Sequence, residues 1–230
     1  MFNRIAAAVL MLSLAACAAR HPRPVTPQLP AQASLQALPA AGDYAIDSSA
    51  SELRLLVYRA GPLANLGHNH VMVNRAVTGV VRIGAGITAS SISLSMRADS
   101  FVVDEAQSRR EEGDDFPGDI PEDAKADTRR NMLSSAVLNA AAFPDITVKS
   151  VSLSGALDAL NADLEVSAAG HTSRISVPLA LSGDAHRFIG AGSMELRQTA
   201  LGLSPYRLMH GALQVQDAMQ LKFKITVSTN

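Results

Sequence analysis

The chain has no tryptophan, 3 tyrosines, 6 phenylalanines and one cysteine. With aromatics at only 4%, a core has to be assembled from Ala, Val, Leu, Ile and Met, side chains that make a large interior without necessarily filling it. A lone cysteine excludes a disulfide within the chain. Excess charge is missing too: a net charge of -1 and a pI near 6.6 provide no basic stripe for nucleic acid. Catalytic signatures are equally scarce. Gly-x-Ser-x-Gly, a Cys paired with His, a glycine-rich phosphate cradle and His-Glu-x-x-His are all absent, so the sequence reads as that of a binding protein and not an enzyme.

The first residues indicate a compartment. Asn3-Arg4 makes a short basic start and residues 5–14 an apolar run too short to span a bilayer, which together read as an export signal over residues 1–16. Leu14-Ala15-Ala16-Cys17 resembles the bacterial lipobox, in which the signal is cut before the cysteine and the thiol is lipidated. Cys17 is then the membrane anchor, and Ala18 after it favours the outer membrane over the inner. Prolines at 22, 24, 27, 30 and 39 amid Ala, Gln and Ser make residues 17–42 a tether, since this composition buries too little apolar surface to order itself. The remaining residues, 43–230, suit one domain.

Within that domain the dominant pattern has period two. Leu53, Leu55 and Val57 alternate with Glu52, Arg54 and Tyr58, leaving Leu56 as an exception, and Ile92, Leu94 and Met96 oppose Ser91, Ser93, Ser95 and Arg97. Further alternating runs cover residues 71–83, 146–153, 160–168, 174–181, 187–196 and 219–227, separated by Gly, Asn and Asp turns. Pro178 within one of them calls for an edge or a bulge. Residues 104–123, with Glu111-Glu112-Gly113-Asp114-Asp115, read as an exposed acidic loop without the spacing of an EF-hand, and 122–140 as a helix that caps an open end of the sheet. At least eight strands and one helix predict an all-β fold, an antiparallel barrel whose closure removes its edges. Its expected lumen residues are Leu53, Leu55, Val57, Val71, Val73, Ile92, Leu94, Met96, Leu164, Val166, Ile175, Val177, Leu221, Phe223 and Ile225.

The densest polar chemistry lies in Gly67-His68-Asn69-His70. If the residues that follow are extended, His68 and His70 share one face. Either these residues orient a loop by hydrogen bonds, or the two imidazoles join His171 or His210, both next to glycines at loop ends, to bind zinc, copper or haem. All four are expected at the polar mouth of the pocket.

Several motifs, in order, resemble the YceI-like family of exported bacterial proteins. They are Tyr44-Ala45-Ile46-Asp47, Val77-Thr78-Gly79-Val80, Ser100-Phe101-Val102-Val103-Asp104, Arg130-Asn131-Met132-Leu133-Ser134-Ser135 and Phe143-Pro144-Asp145-Ile146-Thr147-Val148-Lys149-Ser150. Leu164-Glu165-Val166, Gly170-His171-Thr172, Leu201-Gly202-Leu203 and Val215-Gln216-Asp217 follow where family counterparts would stand. Ala50-Ser51 replaces the usual His-Ser, Val137-Leu138 replaces paired phenylalanines, and residues 60–74 are expanded around the histidine motif, which marks a divergent branch.

The resemblance implies a lipocalin-like barrel that takes a long isoprenoid tail, of the polyprenyl or quinone type, without chemistry and without a cofactor. The implied partners are that lipid and the membrane reached through the anchor, with a homodimer as a further association. The implied location is the periplasmic side of the cell envelope. A periplasmic metal or redox protein using the four histidines on the same barrel is the alternative.

Overall fold

The computed structural model describes residues 35–228. The expected export signal, Cys17 and the tether up to residue 34 lie outside the described residues. In chain order the strands are β1 (Gly42–Ile46), β2 (Glu52–Ala60), β3 (His70–Asn74), β4 (Thr78–Ile83), β5 (Ser91–Arg97), β6 (Val102–Val103), β7 (Asp145–Ala156), β8 (Ala159–Ala168), β9 (His171–Gly183), β10 (Arg187–Arg197), β11 (Arg207–Leu208) and β12 (Leu213–Ser228). The helices are α1 (Ala106–Glu112) and α2 (Glu122–Leu133).

Antiparallel pairing runs β1-β4-β5-β7-β8-β9-β10-β12 and returns to β1 through Ala45 opposite Ser228 and Ile46 opposite Val227, closing a ring of eight. The remaining long strands extend the same ring. β2 continues β1 after a turn at Ser48–Ala50, β3 leads into β4, and β5 into β6 across a turn at Ala98–Ser100. Side chains secure these bends: the Ser48 hydroxyl donates to the Val77 carbonyl at 2.6 Å and the Asn74 amide to the Ser100 hydroxyl at 2.7 Å.

The bend between β3 and β4 shifts the side-chain alternation by one residue, because an irregular residue in a strand exchanges its two faces. Val77, Val81 and Ile83 therefore point inward after the bend, whereas His70 and Met72 do so before it. Val71 and Val73, read from the continuous run as lumen residues, lie on the outer face. There they are fully buried with Leu56 and Phe116.

That outer cluster corrects a second expectation. Residues 104–123 are not an open loop: α1 and the turn Gly113–Asp115 lie across β2 and β3, with Phe116 packed over Leu56 and its ring tilted against Tyr58 at 5.6 Å between centroids. Burial of Leu56 is thereby explained. Glu112, expected in solvent, is buried and ion-paired to Arg54 and Lys222, while Glu111 holds the other side of Arg54.

One end of the barrel is sealed. Leu35, Tyr44, Ile83, Leu160, Leu181, Phe188 and Val227 pack there, and the Leu35 N–H donates to the Leu181 carbonyl. Leu35 and Leu38, from the segment expected as tether, pack against this end of the barrel. At the other end lie α2 and the connections 60–70 and 198–213. α2 ends at Leu133, short of the expected 140, and Ser134 closes it with a bond from its N–H to the Asn131 carbonyl.

Pro178 sits where the sequence placed an irregularity. β9 pairs with β10 only over Ala180–Gly183, since proline has no N–H to continue the ladder and the Pro178 carbonyl points at Gly192, where a Cβ would stand 2.3 Å away. Leu201 and Leu203, from the turn after β10, pack beside the interrupted ladder against Val166, Leu196, Met219 and Leu221.

Candidate functional site

The strands enclose a cavity of about 420 Å³, within the ~300–1,000 Å³ typical of small-molecule sites. It extends from Leu38, Ile83 and Phe188 at the sealed end to His68, His70, Tyr206 and Leu208 at the other. Its wall follows from the period of two: Leu53, Leu55 and Val57 of β2, Ile92, Leu94 and Met96 of β5, Leu164 and Val166 of β8, Ile175 and Val177 of β9, and Leu221, Phe223 and Ile225 of β12 all line it. Only Val71 and Val73 of the expected set do not, for the reason given above. Many of these side chains are half-buried although they face inward, because they border the cavity.

The polar end is built with more precision. Gly67-His68-Asn69-His70 divides its labour by alternate residues. His68 and His70 face the cavity with their rings 6.5 Å apart, while Asn69 turns away to accept the Arg59 N–H at 3.0 Å and donate to the Asp115 carbonyl at 2.8 Å. The loop is pinned again by Arg59, which donates to the Gly67 carbonyl at 2.6 Å.

Behind His70 stands a buried ion pair that sequence reasoning missed. His70 Nδ1 is 2.6 Å from Asp104 Oδ2, and Arg109 donates to Asp104 Oδ1 at 2.7 Å and to the Asn69 carbonyl at 2.7 Å. The Val71 N–H also donates to Oδ1, at 2.9 Å. Asp104 and Arg109 are 0% and 2% exposed at their side chains. Burial pushes the Asp104 carboxyl up, but His70, the Val71 N–H and Arg109 outweigh it and hold the carboxyl below the ordinary aspartate value. Arg109 also donates to the carbonyls of Pro117 and Gly118, so the guanidinium fastens the segment after α1 to β3. Since Nδ1 is committed to Asp104, Nε2 is the ring nitrogen left for a ligand. The signal available in the sequence was Asp104 directly after an alternating Val102-Val103 pair with a basic residue five positions on, which by itself is too common to single out.

The four histidines do not converge. His171 opens β9 with its ring against Gly202, and His210 lies in an exposed turn with φ +57°; neither lines the cavity. Among the described residues no group of three or more His, Cys, Asp or Glu is arranged to hold a metal ion. Hairpin geometry accounts for the separation: His171 is held at the start of β9 opposite Ala168, and β3 lies on the far side of β12 and β10 from it.

A model of the YceI-like domain matches residues 44–227. The chain belongs to the YceI-like family. Among solved structures, the YceI-like barrel described here is similar to Burkholderia cenocepacia BcnA, with a TM-score of 0.57 and 14% identity over 79% of this chain and 98% of that one. It is also similar to a mutant of the Campylobacter jejuni YceI protein, with a TM-score of 0.51 and 8% identity over 69% of this chain and 84% of that one. At such identities the likeness concerns the fold. No curated protein matches the sequence at a significant level. Family membership and the closed eight-stranded barrel agree with the expectations drawn from the motifs.

Proposed function

We propose that this YceI-like protein is a non-enzymatic carrier that holds one long isoprenoid-type tail, polyprenyl or quinone-like, in its lumen with the head group at His68 and His70. The observation that carries this reading is the continuity of the cavity: one apolar channel, sealed by Phe188 and Ile83, leads to a single polar end. An alkyl chain that loses a few hundred Å² of apolar surface to such a wall gains several kcal/mol at ~25 cal/mol per Å², which survives the cost of association as affinity in about the micromolar range. A branched, flexible tail suits a wall of Leu, Ile, Val and Met better than a rigid ring system does. His70, oriented by Asp104, presents Nε2 to a polar head group, and nothing in this function asks for a nucleophile.

The remaining parts of the proposal rest on the sequence. Residues 1–16 direct export, Cys17 carries the lipid anchor, and the barrel works at the periplasmic face of the envelope. Native mass spectrometry of protein purified without detergent is the test. A co-purifying isoprenoid lipid, or saturable uptake of an added polyprenyl or quinone-type lipid, is the expected result. Repeated recovery of empty protein that takes up neither would overturn the proposal.

A further inference from the structure

The rim of the cavity at the His68 end is formed by two interlocked connections, residues 60–69 and 203–213. The Leu63 N–H donates to the Ala212 carbonyl at 2.8 Å, and Gly61 lies so close beneath that carbonyl that a Cβ would stand 2.6 Å from it. Gly67 packs in the same way on Leu213. At the tips of these connections stand Leu66, Leu208 and Met209, 64%, 43% and 66% exposed. Leu66 and Met209 are the two most exposed large apolar side chains among the described residues. A stable fold gains nothing by displaying them. The display is also held against a local cost, because Met209 and its neighbour His210 adopt φ of +50° and +57°, a region that side chains other than glycine rarely occupy.

The charge around these tips has one sign. Residues 59–69 contain Arg59 and residues 203–213 contain Arg207, with no Asp or Glu in either stretch. Arg59 and Arg207 are exposed. The carboxylates that bond nearby do so at the edges of the rim, Asp104 to His70 at 2.6 Å and Asp217 to the Thr199 hydroxyl at 2.7 Å, while Asp115 meets the Asn69 amide through its carbonyl. Exposed aliphatic tips flanked by cations are the composition that inserts into the boundary of an anionic bilayer.

We propose that this rim docks on a lipid bilayer, with Leu66, Leu208 and Met209 inserted at the level of the head groups and Arg59 and Arg207 against lipid phosphates. The purpose of docking rests on the carrier reading above; its physical basis does not. Gly67, His68, Leu208 and Leu213 belong to the rim and to the cavity wall at once, so a tail passes between bilayer and lumen along one apolar path without crossing water. Leu35, the first described residue, is bonded to Leu181 at the opposite, sealed end.

The absence of tryptophan supplies the test, because Met209→Trp and Leu66→Trp each create a single reporter in the full chain. With vesicles of mixed phosphatidylcholine and phosphatidylglycerol, both reporters should shift their emission to the blue and be quenched by lipids brominated on the acyl chain. Val151→Trp, on the barrel wall, should do neither, even where the chain is tethered to the vesicle through its N-terminus. Reporters at 66 and 209 that respond no more than the one at 151 would overturn the proposal. A second measurement follows transfer of a pyrene-labelled alkyl probe from vesicles into the protein. Leu66→Asp with Met209→Asp should slow it on the order of tenfold while affinity for the probe dispersed in detergent stays constant; an unchanged rate would equally overturn docking. A protein whose rim inserts but which takes up no probe would sink the carrier reading and leave docking standing.

Discussion

His70 and Asp104, separated by 34 positions in the chain, meet at 2.6 Å across the edge of the barrel, one ring nitrogen bound to a carboxylate that Arg109 grips from the other side. The pair joins the inside of the barrel to its outside. His70 lines the cavity, whereas Arg109 belongs to the helix laid over the outer wall.

Asp104→Asn should destabilise the protein by about 3–5 kcal/mol, because it leaves the Arg109 guanidinium buried without its counter-charge. Urea unfolding of both proteins checks this. A loss below about 1 kcal/mol would show that water or a rearranged partner reaches Arg109.

Stability should fall in acid, with a sign set by the lowered Asp104 pKa. A carboxyl whose folded pKa lies below its unfolded value of ~3.9 contributes fully above that value and loses its contribution as the pH drops through the folded pKa. Glu111, lowered by Gln107 and Arg54, and Glu105, lowered by Arg75 and Ser108, act in the same direction. Urea midpoints measured downward from pH 6 should therefore decline most steeply below about pH 4, and Asp104→Asn should flatten the curve. Parallel curves for the two proteins would contradict the assignment.

Filling the lumen should abolish binding without unfolding the barrel. Leu94 and Ile175 are only half-buried although they face inward, so Leu94→Phe with Ile175→Phe adds bulk where space exists. The midpoint of thermal unfolding is expected to hold or rise, while uptake of a polyprenyl-type probe falls by an order of magnitude or more. Undiminished uptake at unchanged stability would place the tail elsewhere.

Gly192→Ala should cost about 1–3 kcal/mol, since a Cβ there meets the Pro178 carbonyl at 2.3 Å and the Phe223 ring at 2.7 Å. Backbone atoms on one side leave little room to yield. Chemical denaturation decides, and a neutral result would mean that the unpaired part of β9 relaxes outward.

Much of the architecture was legible in the chain. The period of two in β2, β5, β8, β9 and β12 assigned their inward faces correctly because each strand is regular over the stretch concerned, and alternation is a local property of extended backbone. It misassigned Val71 and Val73 because the bend at residues 75–77 reverses the faces, and nothing in Asn74-Arg75-Ala76-Val77 announces a bend that is held by Ser48 and Ser100 from turns elsewhere in the chain. Acidity likewise marked residues 104–123 as solvated, although Arg54, Lys222 and Leu56 wait on the barrel wall to receive Glu111, Glu112 and Phe116.

What the amino-acid sequence determined by itself was the material of the site: an apolar wall poor in rings, and two histidines spaced to share a face. Which polar groups surround those histidines was decided by tertiary structure alone. Asp104 and Arg109 reach His70 through strand pairing across the chain, and the same pairing keeps His171 and His210 away, because distance in a closed barrel is governed by strand order and not by the number of residues between two points.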